Sequence, residues 1–463
     1  MREEIDHNAK GKILIVCNYF APDNTIAAVR VTKIARYLFQ KGYKVTALAE
    51  KGNEEIKDEI LERDAEGIKI IRIENSDRVK RIVERYKKII APIKSKKFDN
   101  LDNRIKLNRK TRKYEFYPFQ TAHPVIGSLD YLIELFRQYD LSRMARKQLD
   151  EYMEQDCVFT SYGNLFGFFV GKYIHKKSRR VPWIFDIRDP ICRYKFTPKY
   201  VSWISKKQER YIWREADAIT AVSNGICNQV PRKYKNKVRC ITNGYDKRDR
   251  MDILVDDRQN EKFRFVYTGG MYGGLQNLSP IFRNIRALID ERIINNERVE
   301  FLYAGKQSAY EVFKAQAQKY ELQNNCIYCG RLMRKESLKL QMESDILLVS
   351  SFDYQENTAG VITGKALEYM SANKPIIAII NGDIEHSELA EIIRTGNLGC
   401  AYEEAHAETD SKELYEYLKA KYQEFMDKGR LEHKPNEEIV SKFDYEYIGK
   451  RMMTVIESIN RDN

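Results

Sequence analysis

The chain has 463 residues, of which 43% are apolar and 32% charged, and its net charge is +13. That length exceeds one ordinary hydrophobic core, so two domains are expected, and the lack of long polar tracts argues against extensive disorder. No run of about 18 apolar residues occurs, so no membrane-spanning helix is expected; the opening MREEIDHNAKGK lacks an apolar signal core, and a cytoplasmic location is expected.

The first element, KILIVCNYF, is a continuous apolar run, the mark of a strand buried on both faces. AAVRVTKIARYLFQKG follows with Val29, Ile34, Tyr37 and Leu38 at helical spacing and Gly42 as its stop. KVTALAE and IKIIRIE are the next strands, and CVFTSY, WIFDIRD, AITAVS and VRCITN come later, with helical stretches between most of them. Strand–helix alternation of this kind predicts a doubly wound parallel sheet. The rhythm breaks at GYDKRDRMDILVDDRQNEK and resumes with FRFVYTGG, VEFLYAGK, CIYCGRL, ILLVSSFD, PIIAIIN and GCAYE. The expected organisation is therefore an α/β chain of two tandem Rossmann-like domains facing across a cleft: 1–246, a linker at 247–262, 263–440, and a C-terminal helix within 441–463. Open parallel sheets bind ligands beyond the carboxyl ends of their strands, so the loops after strands are the candidate sites.

Charge is concentrated in a basic insertion at 76–113, which holds 15 Lys and Arg against 4 Asp and Glu. Within it Val79, Ile82, Val83, Tyr86, Ile89, Ile90 and Ile93 share one helical face. Two readings fit: a helix lying on an anionic membrane surface, or a helix packed on its domain with a solvated basic face. Nucleic acid is disfavoured for want of a recognisable module or aromatic platform.

The eight Cys are scattered, and Cys326 and Cys329 form a single C-x-x-C without the second pair a structural zinc site needs. No metal-ligand spacing links the six His, of which His386 and His123 stand out. No metal site and no cofactor are expected; His123 is a candidate for the acceptor side.

In TGKALEYM, Lys365 and Glu368 stand one helical turn apart behind Thr363 and Gly364. A cation at a helix start suits a bound anion, and a carboxylate one turn on suits sugar hydroxyls, so the pair fits a nucleoside diphosphate; the bland alternative is a solvated Lys–Glu pair. Asp186, Arg188 and Asp189 close the strand WIFDIRDP, where charges are costly unless paired or used. Gly269 and Gly270 end the strand in YTGGMYGG, and Gly330 and Arg331 follow another.

Taken in order, NYFAPDNTIAAVRVTKIARYL, WIFDIRDP, DAITAVSNGI, VRCITNGYD, FRFVYTGGMY and GKALEYMSANKPIIAI resemble glycosyltransferase family 4 of the GT-B architecture, above all members that build bacterial capsule and exopolysaccharide. The resemblance spans nearly the whole chain. It implies retaining, metal-independent transfer of a sugar from a nucleotide donor, by family habit a UDP-sugar, to a glycan or lipid-linked acceptor. It places Glu368 on the donor ribose, Lys365, Thr363 and Gly364 on the diphosphate, and Gly330 and Arg331 beside the base. Asp186, Arg188 and Asp189 would face the reacting sugar. Pro22, Asp23 and Arg30 would flank a loop closing over the phosphates, and Asn243 would lie on the acceptor side. The sequence departs from the family where relatives carry a first Glu, here Gly360, and where an Arg and a Lys often stand near Gly270 and Leu275. Two other readings stay open: a non-catalytic relative binding a sugar nucleotide or a partner protein, and a GT-B sugar-nucleotide epimerase. Lipid binding by the basic segment would make the protein peripheral on the inner membrane face.

Overall fold

The computed structural model describes residues 9–52, 57–98, 105–107, 114–116, 124–149, 154–191, 199–255, 260–271, 275–352 and 362–461. The chain forms two compact units, one of Met1–Lys106, Tyr117–Asn243 and Tyr445–Asn463, the other of Leu107–Phe116 and Gly244–Asp444.

The first unit contains β1 (Lys12–Cys17), β2 (Lys44–Glu50) and β3 (Lys69–Ile73); beyond a separate pair of short strands, β4 (Ile105–Leu107) and β5 (Tyr114–Phe116), of which Leu107–Phe116 counts with the second unit, it continues with β6 (Cys157–Tyr162), β7 (Trp183–Ile187), β8 (Ala218–Ala221) and β9 (Val238–Cys240). The main sheet has the order β3-β2-β1-β6-β7-β8-β9, and all its pairings are parallel. Ile13 to Val16 are fully buried, as a strand covered by helices on both faces requires. The first helix, Ile26–Gln40, starts at Thr25, whose hydroxyl accepts from the Ala28 N–H. The C-terminal helix, Tyr445–Arg461, belongs to this unit: Tyr445, Ile448, Met452, Val455 and Ile456 join the core formed by Val31, Ile34 and Leu38. Gly449 permits that approach, since a side chain there would run into the Tyr37 ring.

The second unit repeats the plan with β10 (Phe263–Thr268), β11 (Val299–Ala304), β12 (Cys326–Tyr328), β13 (Ile346–Phe352), β14 (Ile376–Asn381) and β15 (Gly399–Glu403). Its order, β12-β11-β10-β13-β14-β15, is again parallel throughout. Both sheets reverse their winding beside the first strand, at β1/β6 and at β10/β13, the position in open parallel sheets where ligands commonly bind. Within 247–262, the span read as a linker, Lys247–Arg250 forms a 3-10 turn that carries Arg250 into the interior of the second unit.

The helix Asp77–Phe98 does not present one uniform apolar face. Val79, Val83 and Ile90 are buried and Tyr86 donates to Asp130 Oδ1 at 2.9 Å, whereas Ile82, Ile89 and Ile93 are exposed. Asp130 lies on the helix Pro124–Arg146, which exposes Val125, Leu129, Leu132 and Phe136 at i, i+4, i+7 and i+11. Among the described residues no helix is long and apolar enough to cross a membrane.

Candidate functional site

In the second unit the chain leaves β10 through Gly269, whose φ of 96° is a conformation that a side chain would strain. A Cβ there would also stand 2.8 Å from Lys365 Cε. Two tyrosines fix the loop. The Tyr303 hydroxyl donates to Gly269 O at 2.6 Å, and the Tyr267 hydroxyl donates to Gly270 O at 3.0 Å. Their rings stack at 5.4 Å with 9° between planes.

Lys365 reaches this loop from the first turn of the helix Gly364–Met370. Its Nζ donates to the Tyr267 hydroxyl at 2.7 Å and to Gly270 O at 2.6 Å, and lies 4.2 Å from the Tyr267 ring centroid. Both acceptors are neutral, and desolvation pushes the amine down to about 7. Thr363 caps the turn, its hydroxyl accepting from Ala366 N at 3.3 Å, and Gly364 opens the helix.

Glu368 is oriented from the other side. Its Oε1 accepts from Gln341 Nε2 at 2.7 Å, and its Oε2 lies 3.7 Å from Arg334 Nη2, a guanidinium also bound to Asp249 Oδ2 at 2.9 Å. Buried Arg250 donates to Gln341 Oε1 at 2.6 Å, to Glu368 O at 3.1 Å, to Leu338 O at 3.1 Å and to Ser371 Oγ. Burial pulls that guanidinium down to about 10, against the pull of Glu368. Gly330 adopts φ 78° after β12, and its carbonyl accepts from Gly305 N at 2.8 Å; Arg331 beside it is exposed. Lys365, Glu368, Thr363, Gly364, Gly269 and Gly270 thus meet at one corner of the sheet. Tyr267, Tyr303, Gln341, Arg334 and Arg250 complete that corner and were not legible as site residues. Only the position of Tyr267, two residues before the glycines, hinted at any of them.

The first-unit candidates behave differently. Asp186 is fully buried and takes a two-pronged bridge from Arg30, Nε to Oδ2 at 3.0 Å and Nη2 to Oδ1 at 2.8 Å. Ser161 and Thr220 also donate to it, at 3.1 and 2.6 Å. Burial would raise this carboxyl, yet Arg30 and the hydroxyls hold it below the usual carboxylate range. With its acceptor positions filled by protein, Asp186 and Arg30 pin the first helix to β7, and this geometry offers neither to a sugar or a phosphate. Arg30 also donates to Thr242 O at 2.6 Å, beside half-buried Asn243. Arg188 is half-buried and donates to Ala27 O at 2.8 Å, and Asp189 is exposed. Asp23 is buried, accepting from Phe20 N at 3.2 Å and Arg72 Nη1 at 3.4 Å, while Pro22 O accepts from Asp58 N at 2.8 Å. His123 and Gly360 lie outside the described residues.

Residues 262–419 match the family described as "Glycosyl transferases group 1". No curated protein matches the chain. Solved structures match it along its whole length at low identity. The sucrose-phosphate synthase of Thermosynechococcus elongatus is 12% identical over 98% of this chain and 100% of its own, with a TM-score of 0.58. A glycosyltransferase from Rickettsia africae is 12% identical over 98% and 100%, with a TM-score of 0.55. An alpha,alpha-trehalose-phosphate synthase (UDP-forming) from Burkholderia vietnamiensis is 10% identical over 96% and 100%, with a TM-score of 0.58. Two tandem Rossmann-like units with these strand orders give the chain the GT-B fold. The segment that matches the group 1 glycosyl transferases lies within the second unit.

Proposed function

We propose that the protein is a retaining, metal-independent glycosyltransferase that moves a sugar from a nucleotide-sugar donor, taken first as UDP-linked, to a glycan or lipid-linked acceptor in surface polysaccharide synthesis. The observation that carries donor binding is the Lys365 ammonium, held over the Gly269–Gly270 loop by two neutral acceptors. An incoming diphosphate offers the negative charge that Tyr267 and Gly270 lack. Glu368, one turn on and oriented by Gln341 and Arg334, would take the ribose hydroxyls. As the glycosidic bond breaks, the departing diphosphate gains charge; one prepositioned donor at such a place is worth about 3 kcal/mol. Retention, independence from metal and the polysaccharide role rest on the resemblance of the sequence. UDP is the first nucleotide to test because a UDP-forming synthase shares the fold.

The test is a thermal-shift screen of UDP, GDP, ADP and their sugars, followed by donor hydrolysis without acceptor. A ligand at 100 times its Kd adds about 2.7 kcal/mol. UDP is expected to stabilise the wild type and not Lys365→Ala, and slow release of UDP from a UDP-sugar separates a catalyst from a mere binder. No nucleotide response in the wild type, or normal transfer by Lys365→Ala, would overturn the reading.

The membrane proposal for 76–113 draws support from exposed Ile82, Ile89 and Ile93 on a basic helix, beside a second helix with its own exposed apolar stripe. Co-sedimentation with phosphatidylglycerol vesicles is expected, weakening with salt; equal recovery with neutral phosphatidylcholine would count against it.

A further inference from the structure

We propose that Glu385, His386 and His406 form a binding site for a late first-row divalent cation of the Zn2+ class, at the carboxyl edge of the second sheet and apart from the Lys365 turn. β14 and β15 run parallel and in register, Ile380 opposite Glu403, so their exits leave the sheet side by side. Glu385 and His386 follow one exit and His406 the other. The three ligating atoms all lie within 4.8 Å of one another, and the two imidazole centroids are 5.2 Å apart. Tetrahedral zinc, with Zn–N of about 2.0–2.1 Å, needs ligand atoms about 3.3 Å apart, so binding calls for the three side chains to draw in around the ion.

The backbone carrying the ligands is held firmly. His386 takes a φ of 55°, an uncommon conformation for a residue with a side chain. The next residue, Ser387, donates its N–H to Glu403 Oε1 at 2.7 Å and caps the helix Glu388–Thr395. Across the gap, Gly382 N donates to Glu404 Oε2 at 2.8 Å, and Glu403 N to Asp410 Oδ2 at 2.8 Å.

The Nδ1 of His406 lies 3.7 Å from Oε2 of fully buried Glu403, beyond hydrogen-bond distance but near enough for the carboxylate to favour a cation at the imidazole. Arg394 is the cation nearby, 3.2 Å from both Glu403 and Asp410. Glu385, Glu403 and Asp410 outnumber it, so the field favours a cation. Glu385 and His386 are exposed and His406 half-buried, so an ion has access and keeps a water in its fourth position. Such an ion would tie the β14 exit to the β15 exit.

The test uses tag-free full-length protein stripped with EDTA, titrated calorimetrically with Zn2+ and, for geometry, by visible absorption with Co2+. One equivalent with a tetrahedral cobalt band is expected. His386→Ala and His406→Ala are each expected to weaken Zn2+ at least about tenfold, while Cys326→Ser with Cys329→Ser leaves it unchanged. Circular dichroism checks that the variants fold. No binding by the wild type overturns the proposal, as does binding that survives both His substitutions, which would mean an adventitious ion only. Neither result bears on nucleotide binding.

Discussion

Lys365 and Tyr267 hold each other across the exit of β10, ammonium donating to hydroxyl at 2.7 Å, with the same hydroxyl donating in turn to Gly270 O at 3.0 Å. The amine is thus aimed by groups that carry no charge. Among the described residues no carboxylate pairs with it, and desolvation lowers its basicity.

This makes donor binding sensitive to pH. Free Lys365 titrates at about 7, lowered by desolvation, and its charged form is the one that grips a diphosphate. UDP affinity is therefore expected to fall as pH rises through 7, approaching about tenfold per unit once the free amine is neutral. Binding at pH 8 would take up a proton, measurable by calorimetry in buffers of different ionisation enthalpy. Lys365→Arg should flatten the profile, because a guanidinium stays charged. A flat wild-type profile would exclude this coupling.

Tyr267→Phe removes the hydroxyl and keeps the ring on Tyr303. A lost hydrogen bond of about 1 kcal/mol predicts roughly fivefold weaker UDP binding. The melting temperature should change little, and weakening that comes only with unfolding would contradict the positioning role.

Gly269→Ala adds a Cβ 2.8 Å from Lys365 Cε on a backbone with φ 96°. Strain of about 1–3 kcal/mol is expected, with displacement of the lysine and a drop in UDP affinity larger than that of Tyr267→Phe. Calorimetry on the two variants side by side checks the ranking.

Arg30→Met leaves the buried Asp186 carboxylate without its cation. Breaking such a pair costs about 3–5 kcal/mol, and at about 2–4 °C per kcal/mol the melting temperature of the first unit should drop by roughly 10 °C. Arg30→Met with Asp186→Leu should recover much of the loss. If the single variant melts like the wild type, the bridge has little structural weight.

Gln341→Ala frees the Glu368 Oε1 that Gln341 now holds at 2.7 Å. Loss of UDP affinity by severalfold is expected, and less for UMP-free pyrophosphate, which has no ribose for Glu368 to hold. Equal losses for both probes would place Glu368 elsewhere than on the sugar.

The alternation of strands and helices was legible because a strand covered on both faces must be apolar along its length; KILIVC, FRFVYT and PIIAII need no partner to be recognised. The Lys365–Glu368 pair was legible for a similar reason: one turn of one helix contains it. The helix at 77–98 was half legible. Its spacing placed Val79 and Ile89 on one side, but only the tertiary packing decided that Val79 is covered and Ile89 is not.

What the sequence by itself determined is therefore local: two doubly wound sheets, and the turn where a cation and a carboxylate stand together. The tertiary structure alone decided who meets whom across long separations. Arg30 finds Asp186 rather than Arg188 doing so, Arg250 passes from a charged connecting stretch to beneath Glu368, and His386 comes to His406. The physical reason is that strand order and parallel register bring distant exits side by side, and neither leaves a periodic trace in the residues that end up touching.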